Sequence, residues 1–156
     1  MKTILLCISI SLASGLLLIN VYNSLVDAKS WGNDIPNSIT AAREYYKNVN
    51  PGNFYRIFSP MNQVLALLVF ILFWKSSPAT RFNLGIVLVV YVMADALTFA
   101  YFYPRNEIMF KTAITNIDVV KKAWSEWTAM NWVRSFILLT GIFFSFLSLH
   151  KIWLQK

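Results

Sequence analysis

Two stretches of this chain, 82–94 and 135–149, contain no Asp, Glu, Lys or Arg. They belong to four apolar segments long enough to span a bilayer, and those segments constrain the fold more than anything else. The segments run over about 3–25 (TILLCISISLASGLLLINVYNSL), 60–75, 82–103 and 128–150. At ~1.5 Å per residue each reaches across a ~30 Å hydrocarbon core, the second only barely. Backbone polar groups in hydrocarbon must be satisfied within their own segment, so spans of this composition are helices. The expected fold is all-α: a four-helix transmembrane bundle, one integral membrane domain over 1–156, with a partly helical cap formed by two long connections. Composition agrees, with 13% charged residues against roughly a quarter in soluble proteins.

Local signals refine this outline. The first segment follows a single lysine, but its apolar run continues through LLLI with no clean cleavage site, so it is expected to be retained as a helix. Pro60 is expected to open the second span and Pro104 to end the third. KSSPATR (75–81) joins spans two and three tightly. Within 26–59, Pro36 and Pro51-Gly52 frame a short amphipathic helix. Helical turns are predicted over 36–48 and 115–127, with Ile39, Ala42 and Tyr46 facing the bundle.

Charge narrows the function classes. The net charge of +7 would suggest nucleic acid for a soluble protein. Here the bases flank apolar runs, where lipid headgroups and topology explain them better. Six of the seven acids lie in the two long connections, which marks those as an external cap and places both termini in the cytoplasm. Basic residues argue the other way, with eight on the cap side against five, although long loops weaken the positive-inside rule. One cysteine, Cys7, excludes an internal disulfide, and one histidine, His150, argues against a histidine-rich metal site. No cofactor or metal is expected.

Polar residues inside the spans are the candidates for function. Asp95 lies ~13 Å inside the third span from the cap end. Tyr91, Thr98 and Phe102 share its helical face. Trp124, Trp127, Asn131 and Arg134, at the mouth of the fourth span, fall within an arc of ~80° at the helical period. An ionised group in hydrocarbon costs a few kcal/mol unless paired, so an Asp95–Arg134 ion pair inside the bundle is the economical expectation. Such a pair either locks two helices or marks a site, and both readings stay open. Asn131, Trp127, Tyr91 and Tyr22 are expected around one cavity open to the cap side, with Asn23 and Asn106 at the cap-side helix ends. Ser11, Gly15 and Tyr22 share one face of the first helix. Leu138, Gly141, Ser145 and Ser148 continue the stripe of the fourth, where small residues permit close helix approach.

The Gly15–Tyr22 run (GLLLINVY), the aromatic-Pro-x-Asn of YFYPRNEIM and the W-x-x-x-N-x-x-R formed by Trp127, Asn131 and Arg134 give the chain a family resemblance. It resembles the anthrone oxygenase-like family of small four-helix membrane proteins, over nearly its whole length. Most bacterial members of that family have no assigned function, and fungal members are associated with cofactor-independent oxidation of anthrones to anthraquinones. The resemblance implies a metal-free monooxygenase. In such a reaction Asp95 would be the base, Arg134, Asn131 and Asn106 the donors to a developing oxyanion, and Tyr and Trp faces the walls around a flat substrate. The rival reading is a non-catalytic protein that binds a lipid or quinone or assists assembly in the membrane. Transport would need a homo-oligomer, because one four-helix chain lacks paired repeats. The expected partners are membrane lipid and a hydrophobic small molecule, not nucleic acid, and the expected location is a bacterial inner membrane.

Overall fold

The computed structural model describes residues 1–154; Lys156, one of the five basic residues counted at the termini end, lies outside the described residues. The described chain forms five helices and no strand. These are α1 (Lys2–Gly32), α2 (Asn37–Tyr45), α3 (Pro51–Leu72), α4 (Pro78–Phe110) and α5 (Ile117–Leu154). All except α2 are long and apolar enough to cross a membrane. Their outward faces carry residues such as Val64, Leu67 and Ile71 on α3 and Phe136, Phe143 and Phe146 on α5, all exposed. A surface this apolar and this continuous matches lipid rather than water.

Each helix outruns the span expected of it, and the prolines explain why. Pro60 does not open α3 but sits inside it. Its ring removes one N–H and so one helical hydrogen bond, a loss that spanning helices tolerate. Pro104 does not end α4 either. The five residues Thr98–Phe102 widen into a π-helical turn, and α-helix resumes at Tyr103 with Pro104 in the new first turn. There its missing N–H costs nothing. A second π segment, Asn23–Asp27, lies in α1. Ser77 starts α4 by accepting a hydrogen bond from the Thr80 N–H, with Pro78 in the first turn.

These lengths divide the molecule into two layers. The 22 residues of α3 make ~33 Å, one hydrocarbon thickness, whereas the 38 of α5 make ~57 Å. The C-terminal ends of α1 and α4 and the N-terminal end of α5 therefore rise beyond α3 on one side, where they form the cap with α2. As expected, α2 buries Ile39 completely and rests Ala42 and Tyr46 against the same cluster. Arg43 donates from Nε and Nη2 to the carbonyls of Met109 (2.8 Å) and Ile108 (3.3 Å), closing the end of α4. The Trp124 indole N–H donates to the Ala28 carbonyl at 2.6 Å.

Below the cap the four long helices form a ring in which α3 packs on α1 and α4, and α5 packs on α1 and α4. Leu138, Gly141, Ser145 and Ser148 are buried along this seam, as their spacing predicts. At Gly141 even a methyl group would collide with the Tyr91 ring. On α1 the inward stripe is Ser9, Ala13, Leu16 and Asn20. Ser11 is exposed and Gly15 has open space before it, so the stripe of Ser11, Gly15 and Tyr22 faces outward instead.

Candidate functional site

One turn below the cap, all four spanning helices contribute side chains to a single cavity. Its walls are Leu16 and Asn20 from α1; Tyr55, Ser59 and Asn62 from α3; Tyr91, Ala94, Asp95 and Thr98 from α4; and Arg134 and Leu138 from α5. The volume is about 20 Å³ as space for the centre of a water molecule, which is room for about one water.

Arg134 dominates the site. It is 6% exposed and makes no salt bridge among the described residues. Its Nη2 donates to Asn131 Oδ1 at 2.6 Å and its Nη1 to the Thr98 hydroxyl at 3.4 Å. The guanidinium lies 4.1 Å from the centre of the Phe102 ring and 5.2 Å from that of Tyr55. Aromatic faces stabilise a desolvated cation by about 2 kcal/mol or more, and neutral acceptors add to that. Nε has no partner.

Asn131 builds this arrangement. Fully buried, it donates from Nδ2 to the Asn20 carbonyl (2.9 Å) and the Ser24 hydroxyl (2.7 Å), tying α5 to α1 while its oxygen holds Arg134. Tyr55 links α3 to the same network, with its hydroxyl 2.9 Å from the side chain of Asn20 and 3.0 Å from that of Asn23. With its nitrogen turned towards Asp27, the Asn23 amide donates to Asp27 Oδ2 (2.9 Å) and the Ile19 carbonyl (3.2 Å) and accepts from Tyr55. Asn20 engages Tyr55 through one end of its amide only.

The expected Asp95–Arg134 ion pair does not form. The two residues line the same cavity, but Asp95 accepts a hydrogen bond from the Gln63 side chain on α3. Arg134 takes the hydroxyl of Thr98, which lies one turn along α4 from Asp95. A common depth places two side chains at one level of a bundle, yet it does not set the direction in which either points. The gap between them is the cavity, and a single water filling it would bridge acceptor to donor.

Of the other residues predicted for the site, Tyr91 lines the cavity and Asn131 and Asn23 stand directly behind it. Trp127 does not line it. It is buried in the cap against Trp31 and Phe102, with ring centres 5.2 Å and 5.6 Å away. Tyr22 is 55% exposed on the outside of α1. Asn106 lies on the part of α4 above the cavity and is not among its walls. Sequence reasoning missed Asn20, Tyr55, Ser59 and Asn62 as walls. Tyr55, Ser59 and Asn62, at offsets 0, 4 and 7, share one helical face, a signal visible once α3 is allowed to start before Pro60.

The polar accounting is uneven. Among the described residues, the buried side-chain atoms without a hydrogen-bond partner include one end of the Asn20 amide, Asn62 Oδ1, the Tyr91 hydroxyl and Arg134 Nε, all on residues that line the cavity. Buried polar groups are normally paired, so four vacancies around one small space mark it out from the rest of the bundle. The described residues contain no cluster of His, Cys, Asp and Glu able to hold a metal ion. No family model matches this chain, and no curated protein or solved structure matches it significantly.

Proposed function

We propose that this membrane protein binds a small hydrophobic molecule, flat or lipid-like, whose polar end occupies the space between Asp95 and Arg134. At that site it carries out metal-free oxygenation of the kind associated with the anthrone oxygenase-like family. The observation behind this reading is the set of four unpartnered polar atoms around one intramembrane cavity that has a carboxylate on one side and an uncompensated guanidinium on the other. A ligand with an acceptor oxygen and an acidic hydrogen answers both. With an anthrone, Asp95 accepts a proton from the methylene carbon, and Arg134 Nε holds the enolate oxygen. Dioxygen then adds to that carbon, the peroxide takes the proton back from Asp95, and loss of water leaves the quinone carbonyl. One dioxygen is consumed and one water is released.

The test is oxygen uptake and anthraquinone formation from anthrone by the purified protein in lipid nanodiscs, corrected for empty discs. Asp95→Asn and Arg134→Met are each expected to lose at least ~100-fold in rate, the usual effect of removing a catalytic base or an oxyanion donor. A wild-type rate no higher than that of empty discs sinks the catalytic reading.

The size of the cavity favours a second reading, a non-catalytic lipid- or quinone-binding protein. About 20 Å³ is far below the roughly 300–1,000 Å³ of ordinary ligand sites. Saturable quenching of protein fluorescence by a quinone, without turnover of anthrone, would select it. For either reading the proposed location is a bacterial inner membrane with both termini cytoplasmic, an orientation supported by the acids that gather in the cap. Labelling of Lys2→Cys against Thr40→Cys and Thr115→Cys in intact cells, in a Cys7→Ser background, decides that orientation.

A further inference from the structure

We infer that Gln63 is the latch of a lateral entrance between α3 and α4, through which a lipid-dissolved ligand reaches the cavity. The inference rests on reading the cavity as a ligand site, and it identifies the wall that moves. A space for about one water admits no larger molecule unless one helix gives way.

The four helices differ in how firmly they are held. The upper parts of α1, α4 and α5 continue into the cap, where Arg43, Trp124 and the Arg105–Glu126 pair join them. By contrast α3 begins only at Pro51 and packs mainly along α1 and α4, touching α5 where the Tyr55 ring meets Arg134. Its buried residues are Asn62, Ala66 and Val69, against eleven in α5, so moving it uncovers the least apolar surface of the four. Pro60 removes a backbone hydrogen bond between the half of α3 that carries Tyr55 and Ser59 and the half that carries Asn62 and Gln63. The helix is thus short, lightly packed and weakened beside the cavity.

Near the cavity α3 is tied to α4 through the Asp95 carboxylate, whose Oδ2 accepts from the Gln63 side-chain nitrogen at the outer edge while the Ser59 hydroxyl faces it from inside. Gln63 and Asp95 are partly exposed at the outer edge of the seam, and the cavity wall formed by Ser59 and Asn62 lies just inside it. Apolar contacts along the rest of the seam exchange for lipid contacts at little cost, since lipid tails are as apolar as the side chains they replace. A hydrogen bond to a carboxylate has no such substitute in lipid. The Gln63 bond is the outer of the two contacts to Asp95, the one a molecule arriving from lipid meets first, and a ligand that engages Asp95 competes for it directly.

The experiment measures access without any ligand. In a Cys7→Ser background reconstituted in nanodiscs, Leu138→Cys on α5 reports the cavity and Val69→Cys reports the core of α3 away from it. The rate of modification by N-ethylmaleimide is read by mass spectrometry. Gln63→Met keeps the length and helical propensity of the side chain and removes the bond. It should raise the rate at the Leu138→Cys site about tenfold or more, the equivalent of one charge-assisted hydrogen bond, and leave the Val69→Cys site within twofold. Gln63→Asn, too short by one carbon to span the seam, should do the same, and it decides the matter where Gln63→Met does not fold. An unchanged rate at the Leu138→Cys site overturns the inference. So does an equal rise at both sites, which would make Gln63 a general packing residue. Because no substrate is used, failure here is separate from failure of the anthrone assay.

Discussion

Two arginines, one in the cap and one in the bundle, receive opposite treatment from the same fold. Arg105 pairs with Glu126, with Nη2 at 2.8 Å and Nε at 2.9 Å from the same carboxylate oxygen, and donates from Nη1 to the Tyr101 carbonyl at 3.0 Å. It also lies 3.4 Å from the centre of the Tyr101 ring. Arg134 likewise rests on aromatic rings, but its polar partners are a hydroxyl and an amide, and Nε is left over. The cap has closed its electrostatics and the bundle has not. Since Arg134 sits in the more apolar medium, where an uncompensated charge costs most, the vacancy is the more expensive of the two choices. Stability alone does not account for it.

That contrast can be broken by removing each charge. Arg105→Met strips Glu126 of its closest partner and leaves the top of α4 without its tie to α5, so it should lower the melting temperature, with a cost of about 1–3 kcal/mol. Arg134→Met leaves the Asn131 oxygen and the Thr98 hydroxyl short of a donor but relieves a buried cation, which is worth several kcal/mol in hydrocarbon. It should leave the melting temperature unchanged or raise it. The two variants are expected to differ by about 2–4 kcal/mol, with Arg105→Met the less stable, read by thermal unfolding in the same detergent. If Arg134→Met destabilises as much as Arg105→Met, Arg134 is a structural residue and the comparison collapses.

The same physics explains what was legible in the sequence. Asp95 and Arg134 stand out in any reading because charges in hydrocarbon are conspicuous, and both belong to the cavity. Their pairing was not legible, because depth along a helix fixes the level of a side chain and leaves its direction to packing. Thr98 and Gln63 compete successfully as neutral partners. The four spans follow from hydropathy, whereas their ends do not, because Pro60 and Pro104 signal helix boundaries only where no membrane or π turn accommodates them. In the membrane Pro60 is accommodated inside α3, and a π turn absorbs Pro104. Starting the second span at Pro60 leaves Tyr55 and Ser59 in the connection, although both line the cavity from α3. The tryptophans mislead in the opposite direction. Trp127 shares a helical face with Arg134, but it lies two turns higher, where the bundle has already become cap.

A second substitution sharpens the comparison from the floor of the cavity. Gly141 leaves no room for a side chain because the Tyr91 ring fills that space. Gly141→Ala must push the ring aside, and overpacking of a close helix contact costs about 1–3 kcal/mol. The ring is itself a wall of the cavity, so any displacement of it changes the shape of that space. The expected outcome is a modest fall in melting temperature together with a larger loss of anthrone turnover or quinone quenching. A control at the cap, Gly32→Ala, meets Trp124 in the same way and should cost stability with no separate effect on ligand. Equal losses of ligand response in both variants would mean that the cavity is not distinguished from the cap by these contacts.

The smallest expected effect concerns Tyr46, which belongs to the finished side of the comparison. Its phenol is pushed up to about 12, mainly by burial and then by the charge of Asp27 beside it. A folded-state value above the ordinary value of about 10 means that the folded chain holds this proton more tightly than the unfolded chain does. The associated stability is fully present below about pH 10 and is lost as the pH rises towards about 12. Tyr46→Phe removes the ionisable group while keeping the ring against Trp31, whose centre is 6.4 Å away. The wild type should therefore lose stability relative to Tyr46→Phe between about pH 10 and 12, and the two should run parallel at neutral pH. Because Tyr46 is only partly buried, solvent screening keeps the difference to a few tenths of a kcal/mol. Parallel melting curves across the whole alkaline range would show that Tyr46 titrates as though it were in water, and the cap would then be looser over α1 than the packing of α2 implies.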